Sequence, residues 1–412
     1  MKKHVTLLLA LVLFIVTILS SATAEIVLDC LHWKNEGAEG FEALAEAFNE
    51  LYPDVTVEFT ASGDNYKQLL MGRLSANDVP ALVAVPSGKY GFDVPKGGYM
   101  LDLSDWAGLE NLKPELVEAQ RYNGKVYSIP VDCAAHGVVY NREIFNKYGL
   151  NVPTTWDEFK NVCQTLKDNG ITPLIITGKD PWTLGIMGVT LAAPIYGKNA
   201  NFDMDVIEGK ASFNGPEWKK VFEDYEVLRQ YANEDVASLS YSLGNQMIAN
   251  GEAAMTIQGN WVVSAIREFN PEVELGIFAI PNAENQADNT LIWGPDFTIG
   301  ISSTTKNPEE CYAFLDFLTS LEGSKIWTDN IMTFSAVKGS DMTFDQTAKD
   351  INAILESGIK TYPLVNHEWF MENVWLDWGA SIQEYNNGTI TAEDCLEYLE
   401  KTIKAAYEIY IK

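Results

Sequence analysis

The chain has 412 residues, with 57 acidic and 29 basic side chains and a formal net charge of −28. A surface of that sign repels a phosphate backbone at long range, which excludes nucleic acid as a partner. Single hydrophobic cores stop growing beyond about 250 to 300 residues, so the length predicts two lobes.

The N-terminus has the three parts of a secretory signal. Lys2 and Lys3 form a charged start, residues 5–19 are an apolar run too short for a spanning helix, and Ala22-Thr23-Ala24 offers small residues for cleavage. Residues 1–24 are therefore expected to be removed, leaving a mature chain that starts near Glu25. A lipid anchor would need a small-residue tripeptide directly before a cysteine. Cys30 instead follows Val27-Leu28-Asp29, so no anchor is expected. No later stretch approaches the roughly 18 consecutive apolar residues of a membrane helix, which predicts an exported, soluble protein in a periplasm or outside the cell. The five cysteines, at 30, 133, 163, 311 and 395, contain no C-x-x-C pair and read as small core residues rather than a disulfide framework.

Residues 26–33 read as a buried strand, and the helix after it sets Phe41, Leu44, Phe48 and Leu51 on one face before Pro53 stops it. A strand alternating Val55, Val57 and Phe59, a helical run with Tyr66, Leu69, Leu70 and Leu74, and a strand at 81–85 complete a repeated βαβ pattern. Such units predict a parallel sheet whose ligands bind beyond the carboxyl ends of the strands. A second α/β region starts near Cys133, with a strand at 137–140 and a helix opened by the capping box Thr155-Trp156-Asp157-Glu158 and closed by Asn169-Gly170. Further strands are expected at 174–177, 253–257, 275–280 and 298–301, with helices at 216–230, after the cap Asn307, and after the cap Thr391.

Several segments, in this order and spacing, resemble the extracellular solute-binding proteins of the family that includes the maltose-binding and other sugar-binding subunits of ABC transporters. They are the first strand ending in Trp33, the run Gly137-Val138-Val139-Tyr140-Asn141, Pro153-Thr154-Thr155-Trp156-Asp157-Glu158-Phe159, Gly251-Glu252-Ala253-Ala254-Met255-Thr256-Ile257-Gln258-Gly259-Asn260-Trp261, and Lys306-Asn307-Pro308 leading to Phe317-Leu318-Thr319-Ser320-Leu321-Glu322-Gly323. The resemblance implies an α/β fold of the type II periplasmic binding proteins, with two lobes and a hinge crossed more than once. By analogy one lobe takes residues 25–133 and 293–338, the other 134–292 and 339–412. It also implies a membrane permease as partner and a monomer that needs no cofactor or metal.

A sugar offers hydroxyl groups and flat C–H faces, so its site wants aromatic platforms surrounded by carboxylates and amides. Trp33, Asn35 and Glu36 stand at the end of the first strand, and Asp64 and Asn65 follow the second. Asp132 and His136 lie at the expected crossover, while Trp293 and Asp296 flank the expected return. In the sugar-binding relatives the aromatic at the position of Trp261 stacks on a sugar ring. Asn260 beside it, Trp182 and Trp375 join the candidate set on the same resemblance. Trp106, Trp156, Trp218 and Trp327 sit in helical contexts that packing explains.

Two other readings remain open. Polyamine binders of the same fold also combine aromatic walls with acidic groups, and paired carboxylates are what a carbohydrate-cleaving enzyme would use. No H-E-x-x-H, G-x-S-x-G, P-loop or cysteine-histidine zinc spacing occurs in the chain, so a binding protein is expected rather than an enzyme.

Overall fold

The computed structural model describes residues 26–340, apart from 282 and 284, and residues 345–411, apart from 364–368, 370 and 371. The expected signal segment lies outside the described residues. Among those described, no helix is long and apolar enough to cross a membrane.

Two open sheets organise the chain. The first has the order Val55–Ala61, Ile26–His32, Leu82–Pro86, Phe297–Ile301, Ile129–Pro130. Its first three strands are parallel, as the βαβ pattern requires, while Phe297–Ile301 runs antiparallel to its neighbours. The helix Ala38–Leu51 links the first pair and buries Phe41, Leu44 and Phe48. Leu51 and Leu69, expected on buried faces, are 57% and 49% exposed. Leu51 is the last residue of its helix, where the inward stripe has run out.

The second sheet has the order Lys360–Tyr362, Thr290–Pro295, Asp132–Asn141, Ala253–Gly259, Thr172–Ile175, and both Leu275–Phe278 and Phe334–Ser335 also pair with Asp132–Asn141. That central strand is buried at all ten positions, so it carries no polar alternation. The capping box at Thr155 and Glu158 forms as expected, and Gly170 takes the left-handed conformation just past the helix. Thr391 and Asp394 cap the last helix reciprocally, whereas Asn307 makes no side-chain cap bond. The helix Pro181–Lys198 was not anticipated. It is buried nearly all round, so its sequence carries no amphipathic period to read.

The chain changes sheet at Val131, between Ile129–Pro130 and Asp132–Asn141, and changes back at Asp296. Trp293, Gly294 and Pro295, assigned by analogy to the first lobe, are hydrogen-bonded into the second sheet opposite Ala135, Ala134 and Cys133. A third passage follows the helix Leu321–Ile331, which packs on Ala38–Leu51. Phe334 and Ser335 then pair with Cys133 and Asp132, and Lys338 returns to Asn111.

Asp132 pins these passages. It is fully buried, its Oδ1 accepts the Phe297 N–H at 2.7 Å, and its Oδ2 accepts the Trp327 indole N–H and the Thr333 hydroxyl, both at 2.8 Å. The five cysteines are all buried and free. Burial pushes the Cys163 and Cys395 thiols up to about 12 and Cys311 to about 11.

Removing the Asp132 acceptor leaves buried donors in three segments, each costing about 1–3 kcal/mol. Asp132→Ala is therefore expected to destabilise the protein by about 3 kcal/mol or more in urea unfolding, whereas Asn65→Ala, at an exposed residue with no cap bond, should stay within about 0.5 kcal/mol of wild type.

Candidate functional site

A cavity of about 450 Å³ lies between the two sheets. From the first sheet it is lined by the residues that follow three parallel strands: Trp33 to Glu36 after the first, Gly63 after the second, and Pro86 and Ser87 at the end of the third. This is the carboxyl edge where an α/β sheet presents its ligand loops. The second sheet contributes Ala134, His136, Ile292 and Gly294. The starts of the helices Pro181–Lys198 and Tyr241–Ala249, and the short helix Val262–Arg267 with its flanks, complete the wall.

Among the described residues, five aromatic side chains reach the cavity: Trp33, Trp182, Tyr241, Trp261 and Phe269. Three of the indoles are braced by neighbouring rings. Trp33 leans on Tyr66 and Phe297, each with centroids 5.3 Å away; Trp182 meets Tyr241 edge-on at 4.8 Å; Trp261 meets His136 edge-on at 5.3 Å. Edge contacts of this kind fix ring orientation while leaving ring surface for another partner.

Among the described residues, four carboxylates and one ammonium share the cavity wall: Glu36, Asp180, Glu268, Asp296 and Lys34. Lys34 is buried, with its Nζ 2.6 Å from Asp296 Oδ2, 3.5 Å from Glu36 Oε1 and 5.8 Å from the centre of the Trp261 ring. Burial alone would lower its pKa, but Asp296, Glu36 and Asp132 together outweigh that effect and hold the ammonium above its usual range. Asp132 is raised to about 6, by burial first and then by Asp296, against the opposing pull of Lys34 and its hydrogen-bond donors. Asp180 accepts the Tyr241 N–H at 2.6 Å. Burial raises Glu268, and the polar backbone of Gly37, from the other half of the molecule, opposes the rise. Gly37 has a φ of 73°, and a Cβ there would lie 1.9 Å from Ile331, so any side chain at this position would be strained.

Of the candidates from sequence, Trp33, Asn35, Glu36, His136, Trp182, Trp261 and Asp296 line the cavity. Four others do not. Asp132 is spent on the crossover. Asn260 is buried, accepting the Ala135 N–H and donating to the Met332 carbonyl, each at 2.8 Å. Trp293 lies in the same strand as Ile292 and Gly294 but between them, so strand alternation turns it to the opposite face, against Phe334 at 5.1 Å. Asn65 is exposed in a short 3₁₀ turn. The side chains of Asp64 and Trp375 lie outside the described residues, although their neighbours Gly63 and Leu376 line the cavity.

Sequence reasoning missed Lys34, which sits between two named candidates, Tyr241 and Glu268, which come from helix ends, and Asn245, one turn into the helix Tyr241–Ala249. Ser240 before Tyr241 accepts the Leu243 N–H as a helix cap, a signal that was available in the sequence. Among the described residues no group of three or more histidine, cysteine, aspartate or glutamate side chains could hold a metal ion.

His32, one residue before Trp33, is buried and stacked on Phe41 at 4.0 Å. Burial, then the charge of Lys34, pushes its imidazole from 6.5 down to about 4. The unfolded chain therefore takes up a proton first, and stability falls as pH drops through 6.5 towards 4. Relative to His32→Leu, the wild type is expected to lose about 3 kcal/mol between about pH 7 and 4 in urea unfolding at a series of pH values.

The family described as bacterial extracellular solute-binding protein matches residues 34–325. The chain is 26% identical over 324 residues to the multiple sugar-binding protein of Streptococcus mutans, covering 76% of each chain. It is 27% identical over 296 residues to the melibiose/raffinose/stachyose-binding protein MelE of Bacillus subtilis, covering 69% of this chain and 68% of that one. Among solved structures, the solute-binding protein RafE in complex with raffinose superposes with a TM-score of 0.80 at 23% identity, over 92% of this chain and 99% of that one. A chitin oligosaccharide binding protein does so with a TM-score of 0.81 at 22% identity, over 93% and 99%. These likenesses establish the fold as two α/β lobes of the type II solute-binding kind.

Proposed function

The chain belongs to the bacterial extracellular solute-binding protein family, and from that premise we propose that it is the capturing subunit of an ABC importer for a mono- or oligosaccharide. The observation that carries this reading is the cavity itself, in which indole and phenol rings share the walls with carboxylates and the amides Asn35 and Asn245, on elements drawn from both sheets. Ring faces suit the C–H faces of a sugar, and the carboxylates and the amide suit its hydroxyl groups. The names of the relatives from Streptococcus mutans and Bacillus subtilis support the same class of solute.

In the mechanism we propose, the solute bridges the two lobes and favours the closed arrangement by its higher affinity for it, a population shift about a hinge. The hinge comprises the three passages near residues 131, 296 and 332–336. Gly37 and Glu268, which come from opposite halves, are neighbours that opening would separate. The closed form is then what a membrane permease recognises.

Thermal melting of the mature protein is expected to rise saturably with a saccharide such as raffinose, stachyose or a chitin oligosaccharide, since a ligand that binds only the folded state raises its melting temperature. Stabilisation by diamines alone would replace the cargo, and consumption of the saccharide would return the protein to the enzymes. Trp261 is only 7% exposed, so its truncation to alanine would cost about 3–5 kcal/mol of stability and confuse folding with binding. Trp182 is half-buried. Trp182→Ala should keep the fold and weaken the saccharide at least about tenfold, or about 1.4 kcal/mol, by calorimetric titration; an unchanged affinity would remove it from the site.

A further inference from the structure

The cavity already contains a cation, and the chain supplies it. The Lys34 side chain is 2% exposed. Its ammonium sits among the carboxylates of Asp296 and Glu36 and the indole ring of Trp261, at 2.6, 3.5 and 5.8 Å. Carboxylates together with an aromatic ring within about 6 Å are the means by which proteins hold cationic ligands. We propose that Lys34 determines the charge specificity of the cavity: it fills the subsite that would otherwise take the ammonium of an amine or polyamine, and so reserves the remaining space for a neutral polyhydroxy solute. This inference rests on the reading of the cavity as the ligand site.

Charge and geometry both support the assignment. Without Lys34 the wall would present Glu36, Asp180, Glu268 and Asp296 with no cation among them, an arrangement suited to an amine. With Lys34 in place three of these carboxylates have a partner from the protein: Asp296 and Glu36 pair with the ammonium, and Asp180 accepts the Tyr241 N–H. A cationic solute would have to displace the lysine from the centre of this arrangement. That displacement is costly, because breaking a buried ion pair leaves a charge uncompensated. Here the stranded group would be the Lys34 ammonium, whose carboxylate partners the solute would take and whose side chain is only 2% exposed. An ammonium carries three N–H donors, and Asp296 takes one at 2.6 Å. The others can serve a ligand oxygen, so the same group that rejects a cation can bind a hydroxyl.

The test compares the wild type with Lys34→Ala, titrating the mature protein with n-butylammonium and 1,4-diaminobutane and following tryptophan fluorescence and heat. The wild type is expected to show no saturable binding, and the variant to bind n-butylammonium at least about tenfold more tightly than the wild type does, with a matching rise in melting temperature. Equal affinity of the two proteins would overturn the proposal. Saturable binding of the diamine by the wild type would also overturn it, whether or not any variant folds. Lys34→Met, which keeps most of the stem, repeats the comparison if the alanine variant does not fold. Saccharides titrated in parallel separate the two readings: a wild type that binds no saccharide sinks the cargo assignment and leaves the alkylammonium result to stand or fall alone.

Discussion

A carboxylate cannot be taken out of water unless the fold brings donors to it, and Asp132 is such a group at the point where the chain leaves one sheet for the other. Its donors come from a strand of the first sheet (Phe297), from a helix (Trp327) and from the segment that passes back towards the second sheet (Thr333). None of these segments is close to Asp132 in sequence, so satisfying one acid brings three distant parts of the chain to one point. The floor of the cavity depends on that junction. Asp296 follows the second crossing, Lys34 reaches Asp296 from the end of the first strand, and Trp261 lies beyond Lys34.

The electrostatics explain how so acidic a chain maintains an acidic cavity. Burial raises Asp132, and repulsion from Asp296, a like charge held close in a low dielectric, adds to the rise. The structure offsets it locally, with one buried ammonium and with the backbone N–H of Tyr241.

Much of the architecture was legible in the sequence, because strands ending in polar loops and helices with explicit caps announce themselves locally. The capping box at Thr155, the cap at Thr391 and the strands around Ile26, Val55 and Leu82 all carry short-range signals. The helix Pro181–Lys198 did not, since a helix buried all round loses the period that would reveal it. The site was legible wherever strand-end position alone decides, as for Trp33, Glu36 and Asp296. It failed where the choice turned on a single residue of register or on a long-range partner. Trp293 is one position out of phase with Ile292 and Gly294. Asp132 and Asn260 have the right chemistry for a ligand but spend it on Phe297, Trp327, Thr333, Ala135 and Met332. Lys34 was overlooked because a lysine reads as surface until its buried carboxylate partners are known.

The distribution of the cysteines has a consequence for how opening of the protein can be observed. Cys30 and Cys311 lie in the elements of the first sheet and its helices, Cys163 and Cys395 in helices of the second half, and Cys133 at the crossing itself. Each is shut away from solvent, and burial keeps each thiol in its unreactive protonated form. Rigid rocking of the lobes would expose none of them, whereas melting of one lobe would expose only its own pair. The native chain thus carries a separate chemical clock in each half, and a third at the junction, whose rates distinguish the motion that admits a ligand from the loss of the fold that holds it.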